Sequence, residues 1–127
     1  MIVADTDVLI DFLAGHGAAA ETVERELGLG RLVTTAVSRF ELLAGARSAA
    51  QERSILRLLA AVPTFPLDEA AADRAAGVRR GLEKKGLGIG MGGSLIAGIV
   101  LARRGALLTR NRAHFSRVEG LSLVQVP

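Results

Sequence analysis

Cysteine is absent from the chain. That removes disulfide frameworks, thiolate zinc sites and cysteine nucleophiles together. Tyr and Trp are missing too, and Phe12, Phe40, Phe65 and Phe115 are the only aromatics. So sparse a set argues against a base-stacking platform of the RRM or OB type. With three prolines there is little to break helices, and no low-complexity tract, repeat or linker interrupts the pattern. The longest apolar run, Leu95 to Ala102, is far below the ~20 residues that span a bilayer. No basic stretch, apolar core and small-residue cleavage site open the chain as they would in a signal peptide. A cytoplasmic protein without membrane association is the expectation, and the lack of thiols fits a reducing compartment. Sixteen Lys and Arg against thirteen Asp and Glu leave a small positive excess, which suits a polyanionic partner but decides little.

Half of the 127 residues are hydrophobic, an ordered composition at a length that suits one domain over 1–127. Ile2-Val3-Ala4 reads as a buried strand, and Arg31 to Thr35 as a second. Ala106 to Thr109 and Leu121 to Val124 read as the last two strands. Val62 to Phe65 is expected at an edge, because Pro63 lies within it. Helices are expected over Val8 to Leu13, Ala18 to Leu29, Ser38 to Ala46 and Ala49 to Ala61. A long helix should follow Asp68 as N-cap and end at Lys84-Lys85 before Gly86. Ser94 to Arg104, apolar on most sides, should be a buried helix. This alternation predicts an α/β fold, a mostly parallel sheet between helical layers.

Asp5 ends the first strand, at the carboxyl edge where open parallel sheets hold their ligands. A carboxylate there is poorly solvated unless a cation or donor meets it, which makes Asp5 a metal ligand or a nucleophile. Thr6 or Asp7 would serve as the N-cap of the following helix. Ser38 to Glu41 matches a capping box. If that helix instead starts near Thr35, Glu41 falls in its second turn and is free to face the same edge as Asp5. In the segment from Leu107 to Phe115, Thr109 ends a strand and Asn111 could cap a short turn. Arg110 and Arg112 would meet phosphate oxygens or remain solvated. His114 reads as a polar neighbour of Phe115.

Four segments in order resemble the PIN-domain family, and specifically its VapC-type toxins. They are Val3-Ala-Asp5-Thr-Asp-Val-Leu-Ile-Asp11, Glu41-Leu-Leu-Ala-Gly-Ala46, the stretch from Ile89-Gly90 to Ser94-Leu-Ile-Ala97, and Leu107-Leu-Thr109-Arg-Asn111 with His114-Phe115. The resemblance implies a three-layer α/β/α sandwich and an Mg²⁺-dependent ribonuclease, with Mn²⁺ as the other candidate ion. Asp5 and the acid expected at position 93 would be the main metal ligands, with Glu41 close by. Thr109 and Asn111 would position water or phosphate. It further implies a VapB-type antitoxin that covers the acidic pocket, often with a basic side chain, and a homodimer. Lys84, Lys85, Arg110 and Arg112 are candidate RNA contacts, with ordinary solvated charge as the plain alternative.

One departure outweighs the matches. Where the family normally has Asp, just before Ser94-Leu-Ile-Ala97, this chain has Gly93. A glycine coordinates nothing, and in a first helical turn it forfeits a favourable charge worth ~0.3–1 kcal/mol. The expectation is a toxin with its site disabled, a change that needs one base in an Asp codon. Gly88 to Gly93 also satisfies G-x-G-x-x-G, but a helix end precedes it where a dinucleotide site needs a strand. Two other functions compete. Asp5-Thr-Asp7 approximates the opening of haloacid-dehalogenase-like phosphatases, although the later acids of that class have no counterpart after Leu107-Leu-Thr109. A non-catalytic module that holds an antitoxin is the second.

Overall fold

Ile2–Ala4 (β1) lies at the centre of a parallel sheet ordered β3-β2-β1-β4-β5. The other strands are Leu32–Thr35 (β2), Thr64–Phe65 (β3), Ala106–Leu108 (β4) and Ser122–Leu123 (β5). The computed structural model describes residues 1–126. Register pairs Ile2 with Leu32 on one side and with Ala106 on the other. The chain runs outward from β1 through β2 to β3, then returns to place β4 on the opposite side of β1. That reversal opens a crevice between the carboxyl ends of β1 and β4, the usual ligand position in such sheets.

Side chains alternate across the strands, so each strand feeds two cores. Ala4, Leu32 and Leu108 pack with Val8, Leu9, Val23, Leu42 and Leu58. Their neighbours Val3, Val33 and Leu107 pack on the other face with Leu82, Ile96, Val100 and Phe115. Helices Thr6–Ala14 (α1), Ala18–Gly28 (α2), Ala36–Ala44 (α3) and Ala49–Ala61 (α4) supply the first layer. Helices Glu69–Lys84 (α5), Gly90–Arg103 (α6) and the short Arg112–Phe115 (α7) supply the second. The three-layer α/β/α arrangement expected from the sequence is present. Arg31 ties the end of α2 to the start of β2, donating from Nε and Nη2 to the buried Glu26 carboxylate at 2.8 and 3.0 Å. Those hydrogen bonds hold the Glu26 carboxyl below its usual range.

Several boundaries differ from the sequence expectation, each for a local reason. Helix α1 starts at Thr6, not Val8, because Asp5 itself is the cap: its Oδ1 accepts from the Thr6 amide at 2.8 Å. Neither Thr6 nor Asp7 has that role. Helix α3 starts at Ala36, not Ser38, with Thr35 as N-cap accepting from the Ser38 amide at 3.1 Å. The capping-box reading of Ser38 and Glu41 is therefore overturned. Helix α6 begins at Gly90, not Ser94, so its first turn contains Gly90, Gly92 and Gly93 against their low propensity. Burial of Ile96, Ala97, Ile99 and Val100 outweighs that cost.

Glycines set the fit between α5 and α6. A Cβ on Gly98 would stand 2.5 Å from the Ala71 carbonyl oxygen and 2.6 Å from the Ala75 Cβ. No side chain fits there. Gly77, on α5, has nothing within 4 Å of the same position. Gly77→Ala is expected to raise stability by about 0.5–1 kcal/mol through helix propensity. Gly98→Ala is expected to lower it by about 1–3 kcal/mol through overpacking. Thermal melts of both variants check this, and shifts of the same sign would contradict it.

Candidate active site

At the crevice beside β1 and β4, a hollow of about 290 Å³ is lined by Asp5, Thr6, Asp7, Glu41, Gly92, Gly93, Asn111 and His114, among others. The sheet edge and three helix starts converge to build it. Asp5 is 7% exposed and follows β1 directly. Its second oxygen, Oδ2, accepts from the Thr109 hydroxyl at 2.7 Å, and Thr109 follows β4. The Thr109 oxygen in turn accepts from the Asn111 amide at 3.0 Å. Glu41 reaches the hollow from the second turn of α3, and its Oε1 accepts from the Thr6 hydroxyl at 2.7 Å. The Ser38 hydroxyl, buried at the start of α3, is 2.8 Å from the same Thr6 oxygen.

The electrostatics are those of crowded, partly buried carboxylates. Burial, and then the nearby Asp7 charge, push the Asp5 carboxyl up to about 6, against the lowering effect of the bonds from Thr109 and Thr6. Burial raises Asp7 as well, in spite of the Arg110 amide that donates to its Oδ2 at 3.1 Å. Asp7 Oδ1 is buried without a hydrogen-bond partner, a costly state for a carboxylate oxygen. Hard carboxylate oxygens of this kind suit Mg²⁺ or Mn²⁺. Among the described residues no three acidic, His or Cys side chains lie close enough to share one ion.

Gly93 lines the hollow from the first turn of α6, opposite the acids. The three atoms nearest a Cβ added there all belong to the Ile89 side chain, the closest at an ordinary 3.4 Å. The position can take a Cβ without rearrangement, and it borders the open space of the hollow. At the adjacent Gly92, an added Cβ would stand 3.5 Å from Glu41 Oε2, so the α6 first turn abuts Glu41 directly.

Five of the residues singled out in the sequence thus come together: Asp5, Glu41 and Gly93 with Asn111 in the wall, and Thr109 bonded behind Asp5. The four proposed RNA contacts do not. Arg110 turns away to Asp11, with Nε 2.7 Å from Oδ2. Arg112 donates from Nη1 to the Val124 carbonyl at 2.7 Å and braces the chain after β5. Lys84 and Lys85 are exposed on the last turn of α5 and its C-cap, outside the hollow. His114, expected as a polar neighbour of Phe115, is exposed in the wall of the hollow, its Nδ1 2.9 Å from the Asn111 side-chain nitrogen. Sequence reasoning also missed Thr6 as the link between Asp5 and Glu41. A hydroxyl flanked by two acids was the available signal.

The sequence pattern of the PIN domain matches residues 2–121. Ribonuclease VapC10 of Mycobacterium tuberculosis is 36% identical over 121 residues, covering 95% of this chain and 90% of that protein. VapBC-1 from nontypeable Haemophilus influenzae contains a chain with TM-score 0.83 and 27% identity, covering 98% of both. A chain of VapBC2 from Rickettsia felis, solved bound to a promoter DNA fragment, has TM-score 0.84 and 23% identity, again covering 98% of both. The chain belongs to the PIN-domain family, in its VapC-type branch. Its solved neighbours include several VapBC toxin–antitoxin complexes. The phosphatase alternative drawn from Asp5-Thr-Asp7 is set aside by that membership. No helix is long and apolar enough to cross a membrane among the described residues.

Proposed function

We propose that this chain is a VapC-type endoribonuclease toxin, metal-dependent in its complete form and disabled here by Gly93. The observation that carries the reading is the convergence of Asp5, Glu41 and Gly93 on one hollow at the sheet reversal, with room where a third acid would project. Phosphodiester cleavage needs charge neutralised at the scissile phosphate, which a carboxylate-held dication supplies. The residues present are one oxygen donor short of that. Asn111 and His114 in the wall would orient the RNA phosphate, and Thr109 holds the Asp5 carboxylate in place for it.

A VapB-type antitoxin is the proposed partner. An apolar groove lined by Ile10, Leu13, Leu42 and Ile55 adjoins the hollow and shares Ile10 and Glu41 with it. A partner segment lying in that groove would bring a basic side chain to the acids. In its present form the molecule then acts as an antitoxin-binding module, and the lack of a three-donor cluster among the described residues favours that second reading. Homodimer formation belongs to the proposal as well, with exposed Phe40 and Met91, adjacent in sequence to Glu41 and Gly92, as candidate contacts. The test is RNA cleavage by Gly93→Asp with Mg²⁺ or Mn²⁺, against EDTA and against Gly93→Asp carrying Asp5→Asn. Cleavage that needs the metal, the carboxylate restored at position 93 and Asp5 together is expected. An inactive Gly93→Asp chain would overturn the nuclease reading.

A further inference from the structure

Asp11 lies outside the hollow and is 8% exposed, on the same face of α1 as Asp7, one turn later. Both acids hold residue 110. Asp7 Oδ2 accepts from the Arg110 amide at 3.1 Å, and Asp11 Oδ2 meets Arg110 Nε at 2.7 Å. The turn after α1 closes around this contact. Gly17, at φ +97°, brings its backbone so near that a Cβ would stand 3.4 Å from Asp11 Oδ2. The His16 amide donates to the Asp11 carbonyl at 3.2 Å.

Residue 110 is therefore gripped twice, by main chain and by side chain. On either side of it stand Thr109, behind Asp5, and Asn111, in the wall of the hollow. Thr109 donates to Asp5, and Asn111 receives its own alignment from the Thr109 oxygen and from His114. The Arg110 side chain is 56% exposed, so the ion pair contributes little stability as a surface pair. Its geometric effect is larger, because it fixes the one residue between the two. A buried carboxylate at position 11 needs a cation, and among the described residues Arg110 is the one paired with it.

We propose that Asp11 and Arg110 form a latch that sets the Thr109–Asn111 turn against Asp5, and that both are positioning residues for the cleavage reaction. The inference rests on the nuclease reading above, and it removes Arg110 from the RNA contacts. The kinetic test uses the Gly93→Asp chain with Arg110→Ala, Arg110→Lys, Asp11→Ala and the double alanine variant. Each single alanine variant should lose about ten- to a hundredfold in kcat with KM little changed, as misplaced groups do. Arg110→Lys should recover most of the loss, and the double variant should be no worse than either single. Unequal losses from Asp11→Ala and Arg110→Ala would overturn the latch.

Two further measurements use the chain with Gly93 unchanged, so they stand even if Gly93→Asp is inactive and the nuclease reading falls. Amide exchange at Arg110 and Asn111 should speed about tenfold in both alanine variants as the turn loosens. Binding of a fluorescein-labelled stem-loop RNA should stay within about twofold in both. If Arg110 contacts RNA instead, Arg110→Ala weakens that binding and Asp11→Ala, which frees the guanidinium, strengthens it. Either this pattern or unchanged exchange would sink the proposal. Should Arg110→Ala fail to fold, Arg110→Lys and Asp11→Ala decide between the same outcomes.

Discussion

Gly93→Asp is expected to raise metal-dependent RNA cleavage by about 10²–10³-fold over the present chain, the scale set by one missing electrostatic group at a reacting centre. The same substitution should couple folding to metal. A ligand that binds only the native state at about a hundred times its Kd adds about 2.7 kcal/mol. For a chain of this size that corresponds to a rise of roughly 10 °C in Tm. Without metal the change should be small. Relief of the glycine helix penalty and a favourable charge in the first turn of α6 are opposed by repulsion from Asp5 and Glu41. Calorimetric scans with and without Mg²⁺ read the difference directly. A Tm that ignores metal in both chains would show that position 93 is not the absent donor. The room beside Ile89 makes misfolding a poor excuse for such a failure.

Asp5→Asn is expected to stabilise the metal-free chain at neutral pH, by up to about 3 kcal/mol, the free-energy equivalent of a shift from 3.8 to about 6. The sign follows from proton linkage. A carboxyl raised in the folded state binds its proton more tightly there than in the unfolded chain. Stability is therefore greatest below pH 3.8 and falls as pH rises towards 6, because folding then confines a charge that prefers water. Asparagine carries no charge: its Oδ1 keeps the bond from the Thr6 amide, and its Nδ2 donates to the Thr109 oxygen, whose own hydrogen can turn to Asp7 Oδ2 at 3.3 Å. Melts in chelator should thus diverge from about pH 4 to pH 7, with the variant ending higher by roughly 10 °C. Asp7, raised by the same burial, leaves a residual slope in both proteins. Parallel curves for the two would contradict the account. The variant gains stability and forfeits a ligand, the exchange expected where a site is held against its own repulsion.

Much of this site was legible because it breaks a local rule. An acid closing a buried strand is costly to desolvate, and Asp5 stood out on that ground, although its second role as the cap of α1 was assigned to Thr6 or Asp7. Glu41 could be placed once Thr35 was considered as the cap, since the helix then turns it to the sheet edge. Strands of only three or four residues were readable as short apolar runs, and their alternation with helices predicted the parallel sheet. Gly90 to Gly93 misled because propensity favours a loop, while burial one turn later extends α6 backwards. The partnership of Asp11 with Arg110 was invisible in the sequence. Both are ordinary residue types in separate motifs, and only the return of β4 beside β1 makes them neighbours. Arg110 and Arg112 read equally as phosphate ligands or solvated loop residues, because charge is all that a sequence displays of them. In the fold Arg110 pairs with Asp11 and Arg112 with the Val124 carbonyl, contacts that no local pattern announces.

The Thr6 hydroxyl, set between Ser38 and Glu41, has a consequence for where protons stand. It carries one hydrogen, and the Glu41 carboxylate can only accept. Thr6 must then give its hydrogen to Glu41 and receive from Ser38, so both hydroxyls point one way. In Glu41→Gln that compulsion disappears, because an amide can donate as well as accept, and the two rotors are free to swing. A single negative charge thereby polarises a three-residue wire from α3 to the lip of the crevice, and the Ser38 hydrogen takes its direction from a carboxylate beyond its own partner.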